Sequence, residues 1–290
     1  MDTERTYGEI ATQARKALQS VDRVPGARKP DPILTADNIR REFGGIVAVD
    51  VDHFEVHKGS ITALIGPNGA GKTTFFNLLT GFDQPNSGQW NFNGKEMNGV
   101  ASHRTAALGM VRTFQLTKSL TKLSVIENMR LGATDQKGEK WWNGLFAAVW
   151  KGQEAEITRR ADELLTRFKM DHMRDEYAGS LSGGQRKLLE MARALMTNPT
   201  LVMLDEPMAG VNPALKQSLN QHIRGLRDDG MTVLFVEHDM DMVHDISDWV
   251  IVMAEGRIIA EGTPDDISSN PAVIDAYLGT RQGQSLLEGE

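Results

Sequence analysis

The chain has 290 residues, of which 40% are hydrophobic, and a formal net charge of -7. This length and hydrophobic content predict one large domain, or one domain with a smaller subdomain. The negative charge disfavours a nucleic-acid partner, because non-specific binding to nucleic acid needs a basic surface. No cysteine is present, which excludes thiol catalysis and cysteine-ligated zinc, and no apolar run approaches the roughly 20 residues of a membrane-spanning helix.

Residues 1–32 are expected to form a short amphipathic helix followed by a linker. Apolar residues recur at helical spacing as far as Val21, and Pro25, Gly26, Pro30 and Pro32 then interrupt the pattern. Two placements are open for this helix. It packs on its own domain, or it docks on a partner or a membrane.

Residues 33–92 carry mostly strand patterns, with one helix between them and an Asn93-Gly94 turn after the last strand. A strand from Ser60 to Ile65 leads into a glycine-rich loop and then a helix. The loop matches the P-loop pattern, whose backbone N–H groups surround phosphates. The loop residues expected to bind a nucleotide are Gly66, Asn68, Gly69, Gly71, Lys72, Thr73 and Thr74.

Two P-loop side chains have specific expected roles. Lys72 contacts the β and γ phosphates, and the Thr73 hydroxyl binds Mg²⁺. The position of the loop between a strand and a helix strengthens this interpretation, so ATP and Mg²⁺ are the predicted ligands.

Residues near 100–180 are predicted to be mainly helical and contain an apolar stripe with nearby lysines. The stripe consists of Trp141, Trp142, Leu145, Phe146, Val149 and Trp150. Mixed Trp and Lys side chains are typical of interfacial helices, so the stripe is expected to face a membrane surface or a partner subunit, or to pack on its own subdomain.

A further helix is predicted to begin at the segment Leu181-Ser182-Gly183-Gly184-Gln185. Ser182 and Gln185 have the spacing of a capping box, and apolar residues then follow at helical positions. The two glycines leave the helix N-terminus bare, and bare N–H groups at the positive end of a helix dipole favour an anion. This terminus is therefore a second candidate phosphate site.

Two carboxylates follow the apolar strand Leu201 to Leu204. Parallel strands deliver such residues to the sheet edge where ligands bind. Asp205 is placed to orient Mg²⁺, and Glu206 to polarise the attacking water. The helix from Pro213, with Asn212 as its cap, and the strand Met231 to Val236 continue a βαβ pattern, which implies a parallel sheet.

Together, these motifs resemble the ATP-binding-cassette ATPases over about residues 33–280. The resemblance implies a dimer in which the helix starting at Ser182 contacts the γ-phosphate held by the opposite subunit. It also implies roles for three further residues: Phe43 stacks on adenine, Gln115 senses Mg²⁺ and the transport domain, and His238 is the switch histidine. Asn212 stands where the family usually has an aspartate that crosses the dimer interface.

The expected fold is α/β, with a P-loop NTPase core of mainly parallel strands, an N-terminal antiparallel β subdomain and an inserted helical subdomain. The cassette spans residues 33–280, the helical subdomain about 116–195, and residues 281–290 form a tail.

Several short sequence segments resemble those of the ATP-binding subunits of branched-chain amino acid importers, among them Thr80-Gly81-Phe82 and Ala276-Tyr277-Leu278-Gly279. Urea, amide and lipopolysaccharide transporters have similar subunits. The implied partners are a second ATPase subunit, identical or related, membrane permease subunits and, indirectly, a substrate-binding protein. The implied location is the cytoplasmic face of the inner membrane.

Two other classes of protein contain some of the same motifs. A soluble cassette ATPase that acts in translation or on chromosomes usually carries two cassettes or a long coiled coil. This chain has one P-loop and no heptad tract. A regulator that binds nucleotide without hydrolysis needs neither Glu206 nor His238. The sequence favours the transport ATPase.

Overall fold

A computed structural model describes residues 7–113, 121–133 and 147–278. Two sheets organise this part of the chain. The larger one has six strands in the order β10-β9-β3-β8-β7-β6, and the smaller one has four in the order β2-β1-β4-β5. The strands are β1 Pro32–Phe43, β2 Ile46–His57, β3 Ile61–Ile65, β4 Ser87–Phe92, β5 Lys95–Glu96, β6 Met110–Arg112, β7 Leu201–Asp205, β8 Thr232–Val236, β9 Trp249–Ala254 and β10 Arg257–Gly262.

The larger sheet is parallel from β6 to β9, and only β10 runs antiparallel to its neighbour. The smaller sheet is antiparallel throughout. Its β4-β5 hairpin turns at Asn93 and Gly94, which both have positive φ (49° and 71°), as a two-residue hairpin turn requires. The predicted α/β fold with a mainly parallel core sheet and an antiparallel β unit is confirmed.

Nine named helices surround the sheets in the described part of the chain. They are α1 Tyr7–Gln19, α2 Lys72–Leu79, α3 Ser102–Ala107, α4 Val125–Leu131, α5 Ala147–Arg167, α6 Gly183–Ala194, α7 Pro213–Asp228, α8 Met240–Ile246 and α9 Pro264–Ser268. A further helix covers residues 271–278. Helices α4, α5 and α6 pack against one another. In the described ranges, no helix combines the length and apolarity of a membrane span.

The core sheet is buried on both faces, and alternate residues of each strand enter different apolar clusters. On β7, Val202 and Leu204 belong to the cluster shared with α4 to α7, whereas Leu201 and Met203 belong to the cluster shared with the smaller sheet. This alternation follows from the two-residue period of a strand. Because both faces of the sheet are buried, nearly every residue of these strands is apolar, and the strands are continuous apolar runs in the sequence.

Helix α1 packs on its own domain, which decides between the two placements left open by the sequence. Its apolar face is buried at Ala11, Ala14 and Leu18, each at most 4% exposed. The helix contacts α7, and Arg15 forms an ion pair with the buried Asp248 at 2.8 Å. Residues 7–31 therefore cover part of the cassette surface.

The linker after α1 is anchored by the buried carboxylate of Glu261, on β10. One oxygen accepts the backbone N–H of Ala27 at 2.6 Å. The other accepts Nε1 of Trp249 at 2.8 Å and pairs with the ammonium of Lys29. Burial lowers the pKa of Lys29, and the charge of Glu261 opposes that shift. Glu261 therefore serves the fold by joining linker and core sheet.

Candidate functional site

The P-loop lies between β3 and α2, as predicted. Lys72, the first residue of α2, folds back over the loop, and its Nζ donates to the carbonyls of Gly66 at 2.7 Å and Pro67 at 2.9 Å. Burial lowers the pKa of the Lys72 ammonium, while the negative charge of Glu206 opposes the shift. The negative charge of Glu206, which belongs to the second motif, therefore acts on the Lys72 ammonium of the P-loop.

The start of α2 is shaped by Gly71. This residue has φ 94°, and a Cβ added to it would lie 2.3 Å from the carbonyl oxygen of Ala48. A side chain is therefore excluded by conformation and by space. Among the described residues, no side chain caps α2, so the first N–H groups of this helix are available as donors for an anion.

Asp205 ends β7 at the carboxyl edge of the core sheet, as predicted, and is held there by Arg112. The Arg112 guanidinium donates to Asp205 Oδ2 at 2.5 Å and to Asn77 Oδ1 at 2.6 Å. The Arg112 side chain is 8% exposed and lies against the ring of Phe76. This bridge connects the strand carrying Asp205 with the helix that follows the P-loop.

Glu206 adopts an unusual backbone conformation directly after β7. Its φ is 44°, in the left-handed region that non-glycine residues rarely enter. The N–H of Glu206 donates to the Val236 carbonyl at 3.0 Å, and Nζ of Lys187 donates to the Glu206 carbonyl at 3.3 Å. These contacts hold the half-buried glutamate at the edge of the sheet.

The predicted capping box at α6 is present. Ser182 Oγ accepts the N–H of Gln185 at 3.3 Å, and the Gln185 side chain accepts the N–H of Ser182 at 2.8 Å. Ser182 and Gly183 are exposed. Within the described ranges, no hydrogen bond or ion pair joins Ser182 to the P-loop.

The remaining predicted residues have different surroundings. Phe43, at the end of β1, is 48% exposed, with the Arg41 guanidinium 4.5 Å from its ring centroid. His238 follows β8, and its side chain is 66% exposed. Asn212 caps α7 by accepting the N–H of Leu215 at 2.9 Å. Gln115 lies outside the described residues, as do Trp141 and Trp142.

Comparison with known proteins agrees with this arrangement. The ABC transporter family model matches residues 49–209, and a model of branched-chain amino acid ATP-binding cassette transporters matches residues 257–282. A probable branched-chain amino acid transport ATP-binding protein of Archaeoglobus fulgidus is 42% identical over 87% of this chain and 97% of its own length. The chain belongs to the ABC transporter ATPase family.

Two further similarities extend over nearly whole relatives. The high-affinity branched-chain amino acid transport ATP-binding protein BraF of Pseudomonas aeruginosa is 40% identical, with 86% of this chain and 98% of the relative covered. The solved ADP conformation of an ATP-binding cassette of an ABC transporter, MJ1267, has a TM-score of 0.75 and 38% identity, and covers 86% of this chain and 99% of that one. This ABC subunit is accordingly an ATP-binding and ATP-hydrolysing enzyme.

Three residues of this ABC subunit escaped the sequence-based site prediction: Arg112, Lys187 and Glu237. Arg112 lies on the three-residue strand β6, which carries too little pattern to be predicted. Lys187 reads as an ordinary helix residue. Glu237 directly follows the apolar strand β8. A carboxylate in that position was the sequence signal that could have identified Glu237 as a site residue.

The two glycines of the α6 N-terminus provide a matched pair for a stability measurement. A Cβ on Gly184 would lie 1.8 Å from Leu215 Cδ2, whereas a Cβ on Gly183 would have its nearest neighbour at 3.8 Å. Because overpacking costs about 1–3 kcal/mol, Gly184→Ala should lower the Tm by several degrees. Gly183→Ala should leave it nearly unchanged. Equal Tm values for the two variants in thermal unfolding would contradict this packing argument.

The protonation of Glu190, on α6, should make the stability of the protein depend on pH. Glu190 lines a small cavity with Thr113 and Pro207. Burial raises its pKa from 4.5 to about 7, against the opposing charges of Lys187 and Arg193. The folded state therefore holds this proton more tightly than the unfolded state does, and the resulting stabilisation is lost as pH rises from about 4.5 through about 7.

The comparison with Glu190→Gln isolates this carboxyl group, because all other titrating groups are shared. The free energy of unfolding of the wild type should fall relative to that of the variant by up to about 3 kcal/mol between pH 4.5 and pH 7. Denaturant unfolding at several pH values measures the difference. A difference independent of pH would be inconsistent with a buried, protonated Glu190.

Proposed function

We propose that this ABC ATPase drives the import of branched-chain amino acids. The main support is that relatives named for this transport match the chain over nearly their whole lengths. The second support is local: residues 257–282 fit a model specific to branched-chain amino acid cassettes. That segment contains Ala276-Tyr277-Leu278, which belongs to one of the short segments that resemble branched-chain amino acid importer subunits.

The proposed roles of the site residues follow from their positions. Lys72 and the N–H groups at the start of α2 bind the phosphates. Glu206 acts as the general base for the attacking water, and His238 contacts the γ-phosphate. Phe43 stacks on adenine, since an exposed aromatic ring at a strand end can accept a base on its face.

The residues also fit a magnesium ion. Thr73, Asp205 and Gln115 all offer oxygen atoms, the ligand type that Mg²⁺ prefers, and Mg²⁺ usually takes only one or two carboxylates together with substrate phosphates. When bound, the ion would neutralise charge on the transferred phosphoryl group. Arg112 holds Asp205 Oδ2 and so fixes the orientation of that carboxylate.

Hydrolysis is proposed to need two cassettes, a pair of identical or related subunits. The exposed Ser182 and Gly183, together with the buried Gly184 and the capping-box residue Gln185, would form the surface that contacts the ATP bound at the P-loop of the opposite cassette. Donors that arrive only when two cassettes close stabilise charge in the transition state more than in the ground state. The lack of any hydrogen bond or ion pair between Ser182 and the P-loop in the described part of the chain supports this arrangement.

The proposed partners are permease subunits in the inner membrane, at whose cytoplasmic face the chain would bind, and through them a substrate-binding protein. Gln115 would lie where a permease segment docks, so that closure of the cassettes moves the permease. A net charge of -7 argues against a nucleic-acid partner.

Transport by the complete complex tests this function. The chain would be purified with its membrane subunits, reconstituted in liposomes and supplied with the binding protein. We expect ATP-dependent uptake of labelled leucine, isoleucine and valine, with no uptake of urea or short amides. Uptake of urea or amides with exclusion of leucine would overturn the substrate assignment while leaving the ATPase assignment intact.

A further inference from the structure

Glu237 is fully buried, at 0% exposure, between β8 and α8. Its carboxylate accepts three backbone N–H groups. Oε1 accepts from Met208 at 2.8 Å, and Oε2 accepts from His238 at 3.0 Å and from Asp239 at 3.4 Å. Charge-assisted hydrogen bonds of this kind stabilise a carboxylate that burial would otherwise destabilise.

These hydrogen bonds connect two catalytic segments. Met208 lies two residues after Glu206, and His238 directly follows Glu237. The segments begin side by side, since the N–H of Glu206 donates to the Val236 carbonyl at 3.0 Å. Beyond that point the two segments leave the sheet. The Glu237 carboxylate connects them through its hydrogen bonds to Met208 and His238.

The bridge matters because Glu206 has a strained backbone. A non-glycine residue with φ 44° has an unfavourable backbone conformation, which persists only where its surroundings hold it. The contacts of Val236 and Lys187 hold Glu206 itself, and Glu237 holds the chain two residues later. A shift of Met208 would therefore be transmitted to the Glu206 side chain.

A carboxylate suits this bridge better than its amide. Glutamate offers two acceptor oxygens, one for each segment, whereas glutamine offers one oxygen and an NH₂ group that only donates. In glutamine, at least one of the backbone N–H groups of Met208 and His238 would face another donor. A buried N–H group without a hydrogen-bond acceptor is unfavourable and favours a local shift of the chain.

We infer that Glu237 is a positioning residue that fixes Glu206 and His238 relative to each other across the gap between β7 and β8. This inference rests on the proposed roles of Glu206 as base and His238 as γ-phosphate contact. Glu237 reaches neither substrate nor metal in this role. It acts on the turnover step through the two backbone segments that it joins.

Glu261 supplies a matched control. It is also buried, at 2% exposure, and its carboxylate also accepts one donor on Oε1 and two on Oε2. Its partners, however, are Ala27, Lys29 and Trp249, which belong to the linker and β9. Glu237→Gln and Glu261→Gln therefore disturb similar buried networks, only one of which contacts the catalytic segments.

The test measures kcat, the KM for ATP and the Tm of the purified chain for both variants. A misplacement of about 1 Å costs on the order of 100-fold in rate, so Glu237→Gln should lower kcat by at least about 10-fold with little change in KM. Glu261→Gln should lower the Tm and leave kcat nearly unchanged. Glu237→Asp, which keeps the charge but is one methylene shorter, should also lower kcat with little change in KM.

Three results would overturn the inference: a normal kcat in Glu237→Gln and Glu237→Asp, equal losses of kcat in Glu237→Gln and Glu261→Gln, or failure of both Glu237 variants to bind ATP. The last would show that Glu237 serves the fold and not the turnover step. Glu206→Gln is measured in parallel. If it hydrolyses ATP normally, the proposed base is wrong, whereas a stalled Glu206→Gln with a normal Glu237→Gln refutes the positioning role alone.

Discussion

Glu206→Gln should abolish most ATP hydrolysis while leaving ATP binding intact. Removing a general base typically costs about 10²–10⁴-fold in rate. Glutamine keeps the shape of the side chain and can still orient water, but it cannot accept the proton. Phosphate release from the purified chain gives kcat, and a fluorescent ATP analogue gives the binding constant. We expect the loss to fall almost entirely on kcat.

Glu255→Gln is the control for this prediction. Glu255 also has a positive φ, 49°, and also follows a strand of the core sheet, but its side chain is exposed in the turn between β9 and β10. The same chemical change at this position should leave hydrolysis nearly unchanged. A Glu206→Gln variant that retains a tenth or more of the wild-type rate, about 1.4 kcal/mol in the barrier, would exclude Glu206 as the base.

Ser182→Arg should also suppress hydrolysis, but by a different route. The exposed N-terminus of α6 would gain a bulky side chain where the phosphate of the opposite cassette is proposed to lie. Each chain keeps its own P-loop, so ATP affinity should be nearly unchanged. Without closure of two cassettes, the rate should fall by about 10²-fold or more, the size of effect seen when transition-state donors are removed. Hydrolysis and ATP binding are measured as for Glu206→Gln.

Ser124→Arg separates loss of closure from loss of a helix cap. Ser124 caps α4 in a capping box with Glu127, as Ser182 caps α6 with Gln185. Both substitutions should cost about 1 kcal/mol of stability through the lost cap. Only Ser182→Arg should reduce basal hydrolysis. A similar loss of rate in both variants would attribute the effect to the caps and refute the phosphate contact.

The elements that the sequence predicted are those with local patterns. The P-loop, the capping box at Ser182 and the carboxylates at the end of β7 each lie within a few consecutive residues, whose spacing indicates the structure directly. The end of β7 could be placed at the ligand edge because parallel strands share that edge. These parts of the candidate site therefore lie where they were expected.

The parts that the sequence did not predict depend on distant contacts. Arg112 and Asp205 are 93 residues apart in the chain, and Glu237 and Met208 are 29 apart. The short strand β6 carries no local pattern that would indicate a role for Arg112. The carboxylate after β8 was a local signal for Glu237, but it did not indicate the contact with Met208. Likewise, the helical pattern of α1 predicted a helix but not its placement, which depends on burial of Ala14 and Leu18 and on the ion pair with Asp248.

If two cassettes share each ATP site, the particle mass of the Glu206→Gln chain should change when ATP is bound. Light scattering would be recorded with saturating ATP and Mg²⁺, on the chain alone and with its co-purified cassette subunit. Because ATP that is not hydrolysed keeps the cassettes closed, we predict a particle containing two cassettes, which separates when ATP is removed. Ser182→Arg should contain one cassette under the same conditions. A single cassette per particle for Glu206→Gln at saturating ATP, with and without the partner subunit, would contradict the shared site.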